Sequence, residues 1–184
     1  VSMENHQLLI NNVLINYAAI GKGEQSLIFL HGWRSDKNTW KLVAEFMKNS
    51  GYRLFFIDLP GFGASGTPKK AYTLHDYAEI IRQFIEKLSL ENCTIIGHSA
   101  GARVAVKLVA EHQGLLRKLV IVASGGARPA FLKTKRIAAK IIKPFFALKF
   151  IRPLRATLYS LIGADDYLAT PGLQTTFLNI INEK

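Results

Sequence analysis

The chain has 184 residues and a formal net charge of +11, with 49% hydrophobic and 20% charged residues. This composition excludes intrinsic disorder and is sufficient to bury the core of one domain. A single cysteine, Cys93, excludes an intramolecular disulfide and a cysteine-based metal site. The sequence contains neither a signal-peptide pattern nor an apolar run of about 18 residues, and it therefore predicts a soluble, cytoplasmic protein.

The first predicted elements are a hairpin and a buried strand. Apolar and β-branched residues at Leu8 to Ile10 and Val13 to Ala18 flank Asn11 and Asn12, which tolerate the left-handed backbone of a tight turn. The two runs are therefore expected to pair antiparallel. After a Gly-rich break, Ser26 to Leu30 is a short apolar run of the kind that lies inside a parallel sheet.

A helix and a second buried strand follow. Apolar side chains at helical spacing predict a helix over residues 39–49, with Asn38 or Thr39 as its N-cap and Gly51 as its stop. Arg53 to Asp58 is predicted to be the next buried strand. The tract after it is too rich in Gly and Pro to be anything but a loop.

Strands and helices continue to alternate along the next part of the chain. A helix is predicted from Thr73 to about Leu88, and Asp76 completes a capping box at its start. Cys93 to Ile96 is the third parallel strand, Ala100 to about His112 a helix, and Leu119 to Ala123 the fourth strand. This pattern predicts the α/β class: a mostly parallel sheet with helices on both faces and an antiparallel N-terminal hairpin.

The pentapeptide Gly97-His98-Ser99-Ala100-Gly101 lies between the third parallel strand and its helix. A sharp strand-to-helix turn of this G-x-S-x-G pattern holds the serine at a strained positive φ and leaves no space for side chains at Gly97 and Gly101. Ser99 Oγ is then exposed at the carboxyl end of the sheet, beside a helix N-terminus that favours developing negative charge. The alternative is an ordinary serine in a Gly-rich turn.

Three tracts together resemble the N-terminal signatures of the α/β-hydrolase fold family, in its order and spacing. They are His31-Gly32-Trp33 after the first parallel strand, Asp58-Leu59-Pro60-Gly61-Phe62-Gly63-Ala64-Ser65 after the second, and the pentapeptide after the third. The resemblance covers essentially the whole chain. It implies that Ser99 is the nucleophile and that the backbone N–H groups of Trp33 and Ala100 form the oxyanion hole.

Other residues of these tracts are expected to support the nucleophile. Gly32 allows its loop to approach the turn closely, and the Trp33 ring either walls the substrate cavity or simply packs. His31 is expected to orient the loop through hydrogen bonds rather than to carry protons. His98 is expected to point away from the site as a packed or surface histidine, and Asp58 to cap the loop that follows it.

The base and the acid that a serine hydrolase needs are not recognisable. After Ser99 the sole histidine is His112, about thirteen residues along a helix and hence roughly 20 Å from the turn. The carboxylates after Ser99, none of which follows a buried strand as the family's acid does, are Glu111, Asp165, Asp166 and Glu183. The resemblance therefore implies that both groups belong to a missing C-terminal part and that the 184 residues alone are inactive. A truncated chain, a proteolytic product and one of two polypeptides each fit this pattern.

Residues 3–126 are predicted to form the N-terminal part of the hydrolase core, and residues 127–184 a helical cap with helices over 131–162 and 172–182. Residues 127–156 carry nine basic side chains and no acidic one. Such a segment fits a cap over the active-site cleft or an interfacial helix on an anionic membrane, and the cap is favoured. Nucleic acid is not expected as a partner, because the charge is concentrated in one short segment.

The favoured function is hydrolysis of an apolar ester, or of a related carbonyl-attached bond, through an acyl-enzyme at Ser99. The alternative is a non-catalytic α/β-hydrolase-like fragment or binding module. Neither implies a cofactor or a metal. The strand Leu119 to Ala123 would form an exposed apolar edge, so it is expected to pair with the missing C-terminal piece or with a second copy. Light scattering from a stable monomer of 20.5 kDa would contradict that pairing.

Overall fold

Six strands form one mixed sheet in the computed structural model, which describes residues 4–124 and 170–183. In chain order they are β1 Asn5–Ile10, β2 Val13–Ile20, β3 Ser26–Leu30, β4 Arg53–Ile57, β5 Cys93–His98 and β6 Leu116–Val122. Their order across the sheet is β1-β2-β4-β3-β5-β6. β2 pairs antiparallel with β1 and β4, and the other neighbours pair parallel. The predicted mostly parallel sheet with an antiparallel N-terminal hairpin is confirmed.

The hairpin turns where the sequence places it. Asn11 and Asn12 have φ values of +48° and +61°, the left-handed conformations of a two-residue turn. Both strands are longer than the apolar runs predict, because the polar start of β1 also pairs with β2 and the last residues of β2 pair with β4. His6 lies opposite Tyr17, with ring centroids 5.3 Å apart. A cross-strand pair of this kind stabilises an exposed edge strand without any apolar run.

Four α-helices and a short 3₁₀ helix flank the sheet in the described residues: the 3₁₀ helix Lys37–Trp40, α1 Lys41–Met47, α2 Leu74–Lys87, α3 Ala100–Glu111 and α4 Gln174–Asn182. The capping box of α2 is confirmed, since Thr73 and Asp76 make both of its hydrogen bonds. For the helix after β3, the prediction of Asn38 or Thr39 as the N-cap is wrong. Asp36 is the cap, because its carboxylate accepts from Asn38 N at 2.8 Å and so begins a 3₁₀ turn before α1.

The core lies on both faces of the sheet. On one face α2 and α3 pack over a cluster that includes Ile28, Phe84 and Ile95. On the other, the 3₁₀ helix and α1 cover a smaller cluster around Phe29 and Trp40. The chain leaves β3 toward β4 and leaves β5 in the opposite direction toward β6. A crevice for a ligand is therefore expected outside the carboxyl ends of β3 and β5, where the strand order reverses.

β6 is the edge strand of the described sheet. It begins at Leu116, three residues before the predicted start, and ends before Ala123, whose φ of +47° departs from the extended backbone. Val120, Ile121 and Val122 are 44%, 51% and 38% exposed. An apolar edge of this kind is a template for another strand, and the predicted pairing partner of β6 stays a prediction.

The division into core and cap also stays a prediction, because the helices predicted over 131–162 and the basic segment 127–156 lie outside the described residues. α4, which the sequence places with the cap, packs on the core: Tyr72 N donates to Thr176 Oγ1 at 3.0 Å. Within the described ranges, no helix has both the length and the apolar character needed to cross a bilayer.

Candidate active site

The turn between β5 and α3 holds Ser99 in a strained backbone conformation, with φ +50° and ψ −110°. Such values are rare for any residue with a side chain and cost of order 1–3 kcal/mol. The Ser99 amide donates to the carbonyl of Val122 at 3.0 Å, which ties the turn to the end of β6. The predicted positive φ is thus confirmed, and the alternative of a relaxed serine in a Gly-rich turn is not what the backbone adopts.

Two glycines make this turn possible, for a steric reason. A Cβ added to Gly97 would lie 2.5 Å from Ala102 Cα, and one added to Gly101 would lie 2.6 Å from the carbonyl oxygen of His31. These neighbours are backbone atoms, which cannot move aside as a flexible side chain can. The closeness of α3 to β3 and β5 therefore requires hydrogen as the side chain at both positions.

The loop after β3 runs directly against Ser99. A Cβ at Gly32 would lie 3.3 Å from Ser99 Cβ and 2.9 Å from His98 Nδ1. Trp33 follows Gly32, and Ala100 is the first residue of α3, where amides have no acceptor within the helix. The two amides that the resemblance implies therefore come from adjoining segments. Their role as oxyanion donors stays a prediction.

His31 is fully buried and joins the two loops that follow β3 and β4. Leu59 N donates to His31 Nε2 at 3.0 Å, and His31 Nδ1 lies 2.7 Å from the carbonyl oxygen of Gly32. Because Nε2 accepts, the neutral ring carries its proton on Nδ1 and donates it to Gly32. Burial lowers the pKa of His31 from its ordinary 6.5. These contacts support the predicted orienting role and leave neither nitrogen for proton transfer.

The His31 ring gives an expected pH dependence of stability. The unfolded chain binds a proton at His31 more readily than the folded chain does, so the free energy of unfolding falls as the pH decreases below about 6.5. In His31→Gln this loss is expected to be smaller between about pH 7 and pH 5. Urea unfolding across this range measures it. His75→Gln is the control, since the His75 side chain is 60% exposed. Equal pH slopes for wild type and His31→Gln would contradict the prediction.

A buried ion pair between Asp58 and Lys37 also connects the segments that follow β3 and β4. Asp58 and Lys37 are 0% and 6% exposed, and Asp58 accepts from Lys37 N at 2.7 Å, Lys37 Nζ at 2.8 Å and Ala64 N at 3.0 Å. Lys37 Nζ also donates to Asn16 Oδ1 at 2.7 Å. The bond from Ala64 confirms that Asp58 caps the loop after β4. Sequence reasoning missed Lys37, which links the loop after β3 to this carboxylate.

No histidine hydrogen-bonds Ser99 Oγ within the described residues, which include all five histidines of the chain. His98 packs edge-on against Trp40, with ring centroids 6.4 Å apart, in the packing role predicted for it. Both ring nitrogens of His31 are engaged by backbone groups. The other three lie elsewhere: His6 on β1, His75 in the first turn of α2 and His112 at the end of α3. No histidine of the chain is therefore in hydrogen-bond contact with the Ser99 hydroxyl.

Two other kinds of reactive group are relevant to the described residues: the thiol of Cys93 and a metal site. Burial raises the pKa of the Cys93 thiol to about 11, so the thiolate needed for nucleophilic attack is scarce at neutral pH. Within residues 4–124 and 170–183, no cluster of His, Cys, Asp and Glu has the geometry to hold a metal ion.

Three aromatic rings, those of Trp33, Phe62 and Phe177, pack against one another next to the loop after β3, and we call them the aromatic row. The Trp33 ring lies 4.8 Å from the ring of Phe62 and 5.2 Å from that of Phe177, measured between centroids. Trp33, the central ring of the row, comes directly after Gly32 in the chain, and Gly32 is the residue that lies against Ser99. A cavity of about 520 Å³ lies next to it and is lined by Arg34, Ser35, Asp36, Gly61, Phe62, Gly63 and Thr170.

The sequence model of the alpha/beta hydrolase fold matches residues 25–175, and the chain belongs to this family. It is 33% identical to the AB hydrolase superfamily protein YisY of Bacillus subtilis over 115 residues, which is 62% of this chain and 42% of YisY. It is 29% identical to the probable lysophospholipase BODYGUARD 3 of Arabidopsis thaliana over 159 residues, 80% of this chain and 31% of that protein.

Solved structures give the same fold. A membrane phospholipase A described as a bacterial virulence factor superposes with a TM-score of 0.66 at 26% identity, over 73% of this chain and 45% of that one. An epoxide hydrolase of Vigna radiata also superposes with a TM-score of 0.66, at 21% identity, over 74% of this chain and 47% of its own. The chain thus spans less than half the length of these relatives.

Proposed function

We propose that the protein is a serine hydrolase that cleaves an ester, or a related carbonyl-attached bond, through an acyl-enzyme at Ser99. The observation that carries this proposal is the strained backbone of Ser99 at the first turn of α3. A positive φ in a residue other than glycine is maintained where the surrounding structure enforces it, and such sites cluster where chemistry occurs. Membership of a hydrolase family supports the same conclusion.

The proposed reaction has two steps, acylation of Ser99 and hydrolysis of the acyl-enzyme. A base removes the Ser99 proton as Oγ attacks the carbonyl carbon, and the negative charge that forms on the carbonyl oxygen is held by the amides of Trp33 and Ala100. The alcohol leaves with the proton from the base, and Ser99 Oγ remains bonded to the acyl group. Water then attacks the acyl-enzyme with the same base, and the carboxylic acid and the free serine are released.

The base and the acid are proposed to come from a C-terminal part outside these 184 residues. All five histidines lie within the described ranges and none hydrogen-bonds Ser99 Oγ, so the proposal takes the histidine base from another part of the protein. The limited span of the chain within its relatives is consistent with this. The 184-residue chain alone is therefore expected to be inactive, and we call the chain together with that part the complete protein.

The proposed substrate has an apolar acyl group. Trp33 and Phe177 of the aromatic row are half-buried, and Trp33 follows Gly32, which lies against Ser99, so these two rings are proposed to contact the hydrocarbon. The relatives include a probable lysophospholipase and a phospholipase A. A serine nucleophile disfavours the branch of the family that uses an aspartate, such as the haloalkane dehalogenases. A cytoplasmic location and a helical cap over residues 127–184 remain parts of the proposal.

A fluorophosphonate probe with mass spectrometry tests the proposal. The complete protein is expected to carry the label on Ser99 and to hydrolyse a chromogenic short-chain ester, whereas the 184-residue chain alone is expected to do little of either. Ser50→Ala is the matched control, because Ser50 is exposed and distant from the turn. Absence of label and turnover from the complete protein would favour the non-catalytic binding module instead.

A further inference from the structure

α4 is bound to the core at both ends by hydrogen bonds that cross long sequence separations. Near its start, the buried Thr176 hydroxyl accepts from Tyr72 N at 3.0 Å, and Asn179 Nδ2 donates to Tyr72 O at 3.2 Å. Apolar contacts add to these bonds, since Leu173 and Ile180 are 9% and 4% exposed within the main core cluster. α4 is thus fixed to the surface of the core.

The C-terminal end of α4 is held by Glu183, which bridges two core helices. Its carboxylate accepts from Leu74 N at 2.8 Å, one of the amides at the start of α2 that lack a partner within the helix, and pairs with Lys107 Nζ at 2.9 Å. Its backbone carbonyl accepts from Arg103 on α3 at 2.8 Å. Arg103 lies one turn after the nucleophile, and its amide bonds to Ser99 O. The same residue therefore connects α4 to the helix that positions Ser99.

The docking of α4 has one effect on the site: it holds the Phe177 ring against Trp33. The face of α4 that carries Leu173 and Ile180 is buried, while Phe177 is half-buried and ends the aromatic row. The Phe177 ring thus extends the aromatic row beyond Trp33. Packing inside the core is already provided by the other two residues.

We infer that Phe177 determines the specificity of the enzyme for long apolar acyl groups, and that Glu183 is the positioning residue that holds it there. This inference rests on the proposed function. The acyl chain of the substrate lies along the aromatic row, and its far part contacts Phe177. Short acyl groups end before they reach this ring, so the contribution of Phe177 rises with the length of the chain.

The first test compares p-nitrophenyl dodecanoate with p-nitrophenyl acetate in the complete protein. Phe177→Ala is expected to lower the ratio of kcat/KM for the dodecanoate to that for the acetate by about tenfold, through KM, because apolar contacts worth about two methylene groups are lost. Phe177→Leu is expected to give an intermediate ratio. Phe46→Ala is the matched control: Phe46 is 87% exposed on α1, on the other face of the sheet. An unchanged ratio in Phe177→Ala, or an equal loss on both esters, would overturn the inference.

The second test addresses Glu183. Glu183→Ala is expected to lower the same ratio, and Glu183→Gln to restore most of it, because glutamine still accepts from Leu74 N. Trp33 fluorescence gives a readout without activity: in a Trp40→Phe background Trp33 is the remaining tryptophan, and Glu183→Ala is expected to shift its emission to the red. Wild-type ratios and emission in Glu183→Ala would overturn the positioning role. Retention of turnover in Ser99→Ala, in contrast, would refute the proposed function itself, whatever the ratio.

Discussion

Replacing Ser99 with alanine is expected to lower kcat of the complete protein toward esters by a factor on the order of 10⁶, the loss that follows removal of the nucleophile of a serine hydrolase. Alanine retains Cβ, so the strained backbone and the fold are expected to survive. The measurement is the initial rate with a chromogenic ester, together with the thermal melting temperature of the same sample. A residual rate within about tenfold of wild type would assign the chemistry to another group.

Ser99→Gly is expected to change catalytic turnover and the free energy of unfolding in opposite directions. Ser99→Gly is equally expected to abolish turnover, but it removes the side chain that makes φ +50°, ψ −110° costly. The free energy of unfolding is therefore expected to rise by about 1–3 kcal/mol. Urea unfolding of the two variants measures the difference. Equal stability of Ser99→Ala and Ser99→Gly would mean that the turn is relaxed despite its dihedral angles.

Asp58→Ala is expected to lower the free energy of unfolding by about 3–5 kcal/mol, because it leaves a buried charge without its partner. The Lys37 ammonium would retain Asn16 Oδ1 as its acceptor. Lys37→Met should cost less, since the Asp58 carboxylate would still accept from the amides of residue 37 and Ala64. The order of the urea midpoints, wild type above Lys37→Met above Asp58→Ala, tests this reasoning.

The control for the buried pair is an exposed one. Glu45 pairs with Lys48 on the surface of α1, and Glu45→Ala is expected to leave the urea midpoint close to that of wild type. The double variant Lys37→Met with Asp58→Leu is expected to recover part of the stability lost in Asp58→Ala, because neither charge is then buried. If Asp58→Ala and Glu45→Ala unfolded at the same urea concentration, the pair would contribute little to the fold.

The parts of the fold that the sequence predicted well are those with a local cause. β3 has the predicted bounds because its five residues are all buried, and the Asn11-Asn12 turn and the Thr73 cap depend on side chains acting within a few residues of themselves. The Ser99 turn belongs to the same group, since its glycines and serine are contiguous in the sequence. For such features the pattern and the physical requirement coincide.

The parts that could not be predicted depend on partners far along the chain. Lys37 lies in a polar stretch that is typical of a surface, and nothing within it indicates a carboxylate 21 residues away. α4 looks like one more helix after the basic segment, and its bonds to the core join residues more than 100 positions apart. The early start of β6 has a similar origin, because its first, more polar residues form a strand by pairing with β5 rather than by their own propensity.

The crowded turn between β5 and α3 limits which of its positions can mutate. With Gly97 and Gly101 each less than 3 Å from neighbouring backbone once a methyl group is added, neither position can accept another residue without separating a helix from two strands. The variable positions of the motif are His98 and Ala100. A randomised library at this site is therefore expected to yield folded clones at those two positions and almost none at the glycines, so new activities are better sought along the aromatic row.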